Sequence, residues 1–375
     1  MTFLYILLAI VILLFMVLIH EFGHYLAGKI LKFKITEFSV GFGFSLFSHT
    51  NKKTGEKFSL RAFPLGGYCA FAGEDSDENT SSPDDFNNQK PWKRIIVFLA
   101  GVTANFITAI LFSWILLSTV GYDTIVVNHG KNITFNETVY ETQFRQGDII
   151  KEIGGTNVNF AFGGTFVDLL GKEEAKAKAF YEENGVDASN LYTFNVKVKR
   201  DGQIVGFDVI YFPFETTDSN GDTVKIYLMG LESAKGEEPC TAAYVYSAWE
   251  GFCRSFEVAF GFAWVVLKSL WMLITFQIPI TQVGGTITTI STIATYAAMS
   301  MKNILVFIPL IAANLAVFNL LPFPALDGSH VLFTLIEQVR GKPINRKVEN
   351  TIHFVGICIL FAFVVIVDII HFVVK

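Results

Sequence analysis

The chain has 375 residues, of which 51% are hydrophobic and 17% are charged, and its formal net charge at pH 7 is -5. Soluble proteins carry about 25% charged residues, so this composition excludes an ordinary soluble protein and predicts an integral membrane protein with room for one water-soluble domain. The excess of acidic over basic residues argues against a nucleic-acid-binding protein, and four scattered Cys without a C-x-x-C pair argue against a disulfide scaffold.

Four apolar stretches predict membrane helices, because about 20 apolar residues are needed to cross the hydrocarbon core. They are residues 2–19, 95–120, 304–321 and 352–367. Residues 256–280 are also apolar, but they contain Glu257 and Lys268. The sequence therefore predicts an α-helical polytopic membrane protein with about four transmembrane helices.

The distribution of Lys and Arg predicts the orientation of these helices, because cytosolic ends are enriched in positive charge. Lys29, Lys32 and Lys34 follow the first stretch and none precedes it, so the N-terminus is expected outside the cytosol. Basic residues also precede the second and fourth stretches. The segment 122–245 is therefore expected on the outer side.

Residues 256–280 raise a question of parity. A single crossing there would place Asp327 on the membrane face opposite His20. The stretch is therefore predicted to lie along the membrane, to re-enter it, or to pair with residues 284–301 as a hairpin. An ordinary fifth span stays open as the alternative.

Residues 57–71 predict a β-hairpin on the inner side, between the first two spans. Phe58, Leu60 and Ala62 alternate with polar residues, and Pro64-Leu-Gly-Gly67 is typical of a turn. The hairpin is apolar enough to associate with the membrane, where such backbone is tolerated if protein or a cavity surrounds it. The acidic, Ser-rich residues 74–85 predict a solvated loop.

The outer segment predicts an inserted β-rich domain. Its signals are strands at 148–158 and 194–202 and a helix at 173–183. Arg145-Gln-Gly-Asp148 resembles the strand entry of PDZ domains, which capture extended peptides by strand addition, although a Gly-Leu-Gly-Phe loop is not visible. A β-rich spacer without a ligand is the alternative. The predicted domain boundaries are 1–121, 122–245 and 246–375.

The motif with the clearest chemistry is His20-Glu-Phe-Gly-His24, at the inner end of the first span. The i, i+4 spacing puts both imidazoles on one helix face, where they can bind one Zn²⁺, and Glu21 is placed to take a proton from a water molecule. Ionisable groups at the end of an apolar helix are costly, which favours a functional site over a chance match.

Asp327 is the best candidate for a third zinc ligand, since catalytic zinc usually has three protein ligands and one water. Pro322 and Pro324 end the third span before it, and Gly328 permits a tight turn after it. The other five His are poor candidates by position: His49, His129, His330, His353 and His371. Asp327 could instead be the N-cap of a following helix.

These motifs together resemble the site-2 protease family of intramembrane zinc metalloproteases. The resemblance rests on His20-Glu-Phe-Gly-His24, on Asn319-x-x-Pro-x-Pro-x-Leu-Asp-Gly328 and on the hairpin sequence Phe63-Pro-Leu-Gly-Gly-Tyr68. It implies zinc bound by His20, His24 and Asp327, a general base at Glu21 and a substrate-contacting amide at Asn319. The PDZ-like insert resembles the bacterial branch that includes the regulator of sigma-E protease.

The resemblance implies regulated cleavage of transmembrane segments in single-pass membrane proteins, such as anti-sigma factors or signal-peptide remnants. It implies a multi-pass protein of the inner (plasma) membrane, with the active site toward the cytosol, and no nucleic-acid partner. The sequence departs from the family where Val102 follows Gly101, although Asn105 is retained, and where Thr286 and Ser329 replace a usual Pro and Gly.

Two other functions are compatible with parts of the sequence. A non-catalytic membrane adaptor could bind peptides through its PDZ-like domain, but an inert zinc site would not need Glu21. A metal transporter could use two His on one helix, but transporters usually contain inverted repeats, which this sequence lacks.

Overall fold

A computed structural model describes residues 2–74, 82, 84–122, 124–135, 137–158, 164–187, 190–217, 223–232 and 238–374. Most of the predicted loop 74–85 lies outside the described residues. The chain divides into two compact units. The membrane unit comprises Met1–Ser113 with Phe262–Lys375, and the inserted unit comprises Trp114–Gly261.

The described residues form eight α-helices, of which five overlap the apolar stretches of the sequence. They are α1 (Thr2–Ile30), α2 (Pro91–Thr119), α3 (Phe166–Asn184), α4 (Ala248–Ile274), α5 (Thr286–Met299), α6 (Met301–Leu320), α7 (Asp327–Arg340) and α8 (Arg346–Val374). Among the described residues, α1, α2, α4, α6 and α8 are long and apolar enough to cross a membrane. The protein is therefore a polytopic membrane protein with a β-rich part.

Within the described part of the chain the candidate spans number five, one more than the four predicted, and the additional one is α4. It contains most of the apolar stretch 256–280. An ordinary fifth span was the alternative that the sequence left open for this stretch. The next helix, α5, has 14 residues. At about 1.5 Å per residue it is shorter than the hydrocarbon core, so it is too short to cross alone.

The predicted hairpin is larger than the sequence suggested. Strand β1 (Ile35–Thr50) pairs with β2 (Lys57–Phe71), and a turn at 51–56 connects them. The chain also reverses direction between residues 60 and 67, where a turn was predicted, because residues 57–60 run parallel to 37–40 whereas residues 67–70 run antiparallel to them. Residues 35–50 carried an overlooked signal, because Phe38, Val40 and Phe42 alternate with small or polar residues.

Both strands of the hairpin bend, so that it forms a ribbon of four segments. Residues 35–40 lie opposite 67–71 and also beside 57–60, and residues 45–50 pair with 57–61. Gly41 and Gly43 have φ near +86° and +85°, which side chains with a Cβ rarely adopt. The segment 67–71 is therefore an outer strand of the ribbon.

The described residues of the inserted unit form one six-stranded sheet and two two-stranded sheets, and helix α3 packs against their apolar core. Its strands are β3 (Ile125–Val127), β4 (Ile133–Phe135), β5 (Thr138–Tyr140), β6 (Ile149–Ile153), β7 (Thr156–Asn157), β8 (Thr193–Arg200), β9 (Gln203–Ile210), β10 (Phe212–Thr217), β11 (Thr223–Leu228) and β12 (Thr241–Ala243). The main sheet has the order β12-β3-β6-β8-β9, with β7 paired to β6. Helix α3 begins with a capping box between Thr165 and Asp168 and covers a core that includes Ile150, Val196 and Val198.

Candidate metal centre

The two His of the H-E-x-x-H motif lie together on one face of α1. Their rings make an edge-to-face contact with centroids 4.7 Å apart, and the two Nε2 atoms are 3.2 Å apart. Helix α1 continues to Ile30, so the motif lies within the helix and not at its end. His20 and His24 are 6% and 8% exposed, which keeps both imidazoles out of bulk solvent.

Small residues let α2 approach this face of α1 closely. A Cβ added to Gly23 would lie 2.4 Å from the Ala100 carbonyl oxygen, and one added to Gly101 would lie 2.4 Å from Nε2 of His24. Small residues at membrane helix contacts permit such close backbone packing. Gly101 therefore forms a wall of the centre that no larger side chain can replace without moving His24.

Asp327 reaches the same place from a distant part of the chain. Helix α6 ends at Leu320, and α7 begins at Asp327 after a short Pro-containing loop. Gly328 makes this turn possible, because a Cβ there would lie 2.2 Å from the Leu320 carbonyl oxygen. The N-cap of α7 is Leu326, so Asp327 is the first helical residue and does not act as a cap.

The three side chains converge on one point. Oδ2 of Asp327 lies 2.9 Å from Nε2 of His20 and 3.4 Å from Nε2 of His24. Ligand atoms of tetrahedral zinc, at bonds of about 2.0–2.2 Å, are separated by roughly 3.3–3.6 Å, close to these spacings. This Oδ2 is buried and accepts no hydrogen bond of normal geometry from the described residues. Two imidazoles and one carboxylate, whose Oδ2 has no hydrogen-bond partner among the described residues, fit a zinc ion.

The outer nitrogen of each imidazole has a partner suited to metal binding. Nδ1 of His24 lies 2.8 Å from the carbonyl oxygen of Val97, which can only accept, so Nδ1 carries the proton and Nε2 presents its lone pair. The amide of Asn105 lies 3.2 Å from Nδ1 of His20. Asn105 is fully buried; with its two amide atoms exchanged, Oδ1 accepts a hydrogen bond from Nδ1–H of His20, so that Nε2 of His20 presents its lone pair.

A cavity of about 570 Å³ opens beside the three convergent side chains. Glu21 and Asn319 both line it. The Cys69 amide donates a hydrogen bond to Glu21, and the amide of Asn319 lies 3.5 Å from Nε2 of His20. Residues 66–69 and 71 of β2 form another wall of the cavity. All five residues predicted to form the site therefore surround one space.

A buried ion-pair network holds the helix that carries Asp327. Glu337 of α7 accepts from Arg94 of α2 at 2.6 Å and pairs with Arg346 of α8 at 3.0 Å. Glu337 and Arg94 are each 6% exposed along their side chains. Because breaking a buried pair leaves an uncompensated charge, the network fixes α7 against its neighbours.

Two residues of this centre were not predicted from the sequence. Asn105 was noted as a retained family residue without a role, and a polar residue in an otherwise apolar span was the signal that could have identified it. His330 was set aside as a zinc ligand, yet it lines the cavity. Its spacing of three residues from Asp327, on one face of a helix, could have placed it there.

A family model and several similar proteins agree on the kind of protein that this chain resembles. The model of peptidase family M50 matches residues 8–363. A protein of Campylobacter jejuni, provisionally named a zinc metalloprotease, is 29% identical over 94% of this chain and 89% of its own length. Proteins of Synechocystis and Fusobacterium nucleatum with the same provisional name are 28% and 25% identical, over 94% and 98% of this chain and 90% and 98% of their own lengths.

Proposed function

The chain belongs to peptidase family M50, the site-2 protease family, and on that premise we propose that it cleaves peptide bonds within transmembrane segments of other membrane proteins. It is a zinc metalloprotease of the membrane. The observation that carries the proposal is the convergence of His20, His24 and Asp327 between helices, beside a cavity lined by Glu21.

In this proposal His20, His24 and Asp327 hold the metal and Glu21 is the general base. Bound zinc supplies Lewis-acid polarisation of the scissile carbonyl and lowers the pKa of a water molecule toward about 7. The Glu21 carboxylate accepts one proton as the water oxygen bonds to the carbonyl carbon, and it gives that proton to the amine nitrogen as the C–N bond breaks. Asn319 holds substrate backbone near His20.

The substrate must lose its helical hydrogen bonds before it can be cut. Each unpaired backbone group costs several kcal/mol in hydrocarbon, so an unwound segment needs new partners. The outer strand 67–71 of the hairpin ribbon lines the cavity beside Glu21 and is suited to pair with an extended substrate. The Cys69 amide is already used by Glu21, so pairing along this strand places the substrate backbone next to the base.

The inserted unit is proposed to select substrates. Its strands and helix are compatible with a PDZ-like domain within the proposed boundaries 122–245, between membrane halves 1–121 and 246–375. In the proposed orientation this domain lies outside the cytosol, the N-terminus is also outside, and the cavity opens toward the cytosolic side of an inner (plasma) membrane. Single-pass proteins such as anti-sigma factors or signal-peptide remnants are the proposed substrates.

The test uses the full-length protein in liposomes with a single-pass model substrate, and it measures zinc content and cleavage together. Glu21→Gln is expected to keep zinc and to lower the cleavage rate about 10²–10⁴-fold, the usual contribution of a general base. Asp327→Ala is expected to lose both zinc and cleavage. Undiminished cleavage in both variants would overturn the proposed site, and cleavage only outside the substrate's membrane segment would overturn the intramembrane reaction.

A further inference from the structure

His330 lies in the catalytic cavity without a role in the mechanism above. It is three residues after Asp327 on α7, so the two side chains project from the same face of the helix. The cavity lining includes His330 together with His20, His24 and Glu21. Its position in this cavity follows from α7, whose start is fixed by Gly328 and whose end is fixed by the Glu337 network.

Two flat side chains clamp the His330 ring. Phe98 of α2 stacks on one face, with ring centroids 4.9 Å apart and planes within 16°, and His353 of α8 stacks at 4.0 Å and 8°. His353 is itself held, because its Nδ1 accepts a hydrogen bond from the Ala325 amide at 3.0 Å. The plane of the His330 ring is therefore set by three different elements, and only its edge is available for polar contacts.

A metal-binding role for this second His cluster does not suit these contacts. His330, Glu349 and His353 lie close enough to hold an ion. However, Nδ1 of His353 accepts the Ala325 amide, so in the neutral ring Nε2 carries the proton and has no lone pair for a metal. His353 acts as a fixed aromatic support for His330.

The nitrogens of His330 are available to a substrate. The ring makes stacking contacts, but neither of its nitrogens forms a hydrogen bond within the described part of the chain. Burial and the neighbouring His353 lower the pKa of His330 to about 4. The ring is thus neutral at working pH and carries one N–H donor.

We propose that His330 is a further catalytic residue, whose ring N–H donates a hydrogen bond to the carbonyl oxygen of the scissile bond as that oxygen gains negative charge. The inference rests on the proposed function. No bond of His330 forms or breaks, since it donates a hydrogen bond and keeps its proton, and the proton transfers remain those of Glu21. A donor that is held in place by packing stabilises developing charge more than a donor in water does, because it needs no reorganisation.

The test compares His330→Phe, which keeps an aromatic ring between Phe98 and His353, with His330→Asn, which keeps an N–H donor. Liposome-reconstituted full-length protein is assayed for zinc content, kcat and KM on the model transmembrane substrate. His330→Phe is expected to keep zinc and KM and to lower kcat about 10²–10³-fold, as loss of one oxyanion donor does. His330→Asn is expected to recover part of that loss.

Two further readouts separate catalysis from structure. Because the His330 donor is neutral, the pH–kcat profile is expected to keep its shape in His330→Asn. Replacing a residue that titrates as a general acid would instead remove one of the two sloping limbs of that profile. His371→Phe removes an imidazole from α8 outside the cavity and is expected to match the wild type. An unchanged kcat in His330→Phe, lost zinc, or an effect confined to KM would overturn the inference.

A last measurement does not depend on turnover. A phosphinic peptide carries a tetrahedral anionic group that imitates the developing charge, and its affinity is expected to fall in His330→Phe by the same factor as kcat. Equal affinity for wild type and His330→Phe would refute the role of His330. A zinc-loaded wild type that cleaves no transmembrane substrate would refute the proposed function instead, and the inhibitor measurement would still decide on His330.

Discussion

The two units of this protein differ in which side chains they leave exposed. The inserted unit has an apolar core in which Ile150, Val196 and Val198 are almost completely buried. In the membrane unit, large apolar side chains such as Trp264 and Phe361 point outward, while His20 and Asn105 are inside. The difference follows from the solvent, because lipid is as apolar as the side chains and gives little drive to bury them.

The two units also differ in what their buried polar contacts do for the fold. In the inserted unit, the buried carboxylate of Asp148 pairs with Arg200 at 2.6 Å beside an apolar core that already drives folding. In the membrane unit, the polar contacts around Asp327 and Glu337 decide how the helices meet. Polar substitutions in the membrane unit are therefore expected to affect the metal centre, and those in the inserted unit are expected to leave it intact.

The largest expected effect comes from a single methyl group in Gly101→Ala. The new Cβ would lie 2.4 Å from Nε2 of His24, so the ligand must move and zinc affinity is expected to fall by more than about 100-fold, beyond the usual range for outer-shell changes. Zinc titration of the purified variant measures this.

The matched control is Gly171→Ala in α3 of the inserted unit, where a Cβ would meet nothing within 4 Å. Zinc affinity is expected to be unchanged there, and the helix is expected to gain about 0.5–1 kcal/mol. Equal zinc affinity in the two variants would contradict the packing of α2 against the centre.

The next effect concerns the buried charges around α7. Glu337→Ala leaves Arg94 and Arg346 without their carboxylate, which is expected to cost about 3–5 kcal/mol and to lower zinc content, because α7 carries Asp327. Thermal unfolding in detergent and metal analysis measure the two effects.

The counterpart in the inserted unit is Asp148→Ala, which breaks the pair with Arg200. A similar loss of stability with full zinc content is expected. If Asp148→Ala lost zinc, or if Glu337→Ala kept its full zinc content, the expectation that only the buried ion pairs of the membrane unit support the metal centre would be wrong.

A smaller effect is expected from the amide that supports His20. Asn105→Leu removes the partner of Nδ1, and zinc affinity is expected to fall about 10–100-fold. Asn105→Asp keeps an oxygen acceptor at the same place and is expected to bind zinc more tightly than Asn105→Leu. If the two variants bound zinc equally, the acceptor role assigned to Asn105 would be wrong.

The smallest effect is a pH dependence of the hairpin ribbon. Partial burial opposes ionisation of Glu37, but hydrogen bonds from Ser59 and Arg61 outweigh it and lower its pKa to about 2. Because this is below the ordinary value of about 4.3, ionised Glu37 stabilises the ribbon above that pH, and the contribution is lost as pH falls toward 2. Hydrogen exchange of β1 and β2 should therefore quicken on acidification, and Glu37→Gln should remove that pH dependence.

Local patterns were sufficient for much of this architecture. The apolar stretches predicted α1, α2, α6 and α8, because a membrane helix needs only its own residues to satisfy its backbone. The strands around 148–158 and 194–202 were predicted from alternation and a Gly turn, and β6 to β8 lie there. The turn within residues 57–71 was predicted, but the insertion of residues 35–40 between its two arms was not, because that pairing is set by distant contacts that no local pattern specifies.

The sequence by itself determined the family of this protein, its membrane character and the pairing of His20 with His24, since an i, i+4 spacing is a property of one helix. Tertiary structure alone decided that Asp327, 307 positions after His20, lies 2.9 Å from it. It also decided that Asn105 and the Val97 carbonyl orient the imidazoles, and that His330 faces the cavity between two rings. Such contacts depend on how closely separate helices approach, which here rests on Gly23, Gly101 and Gly328.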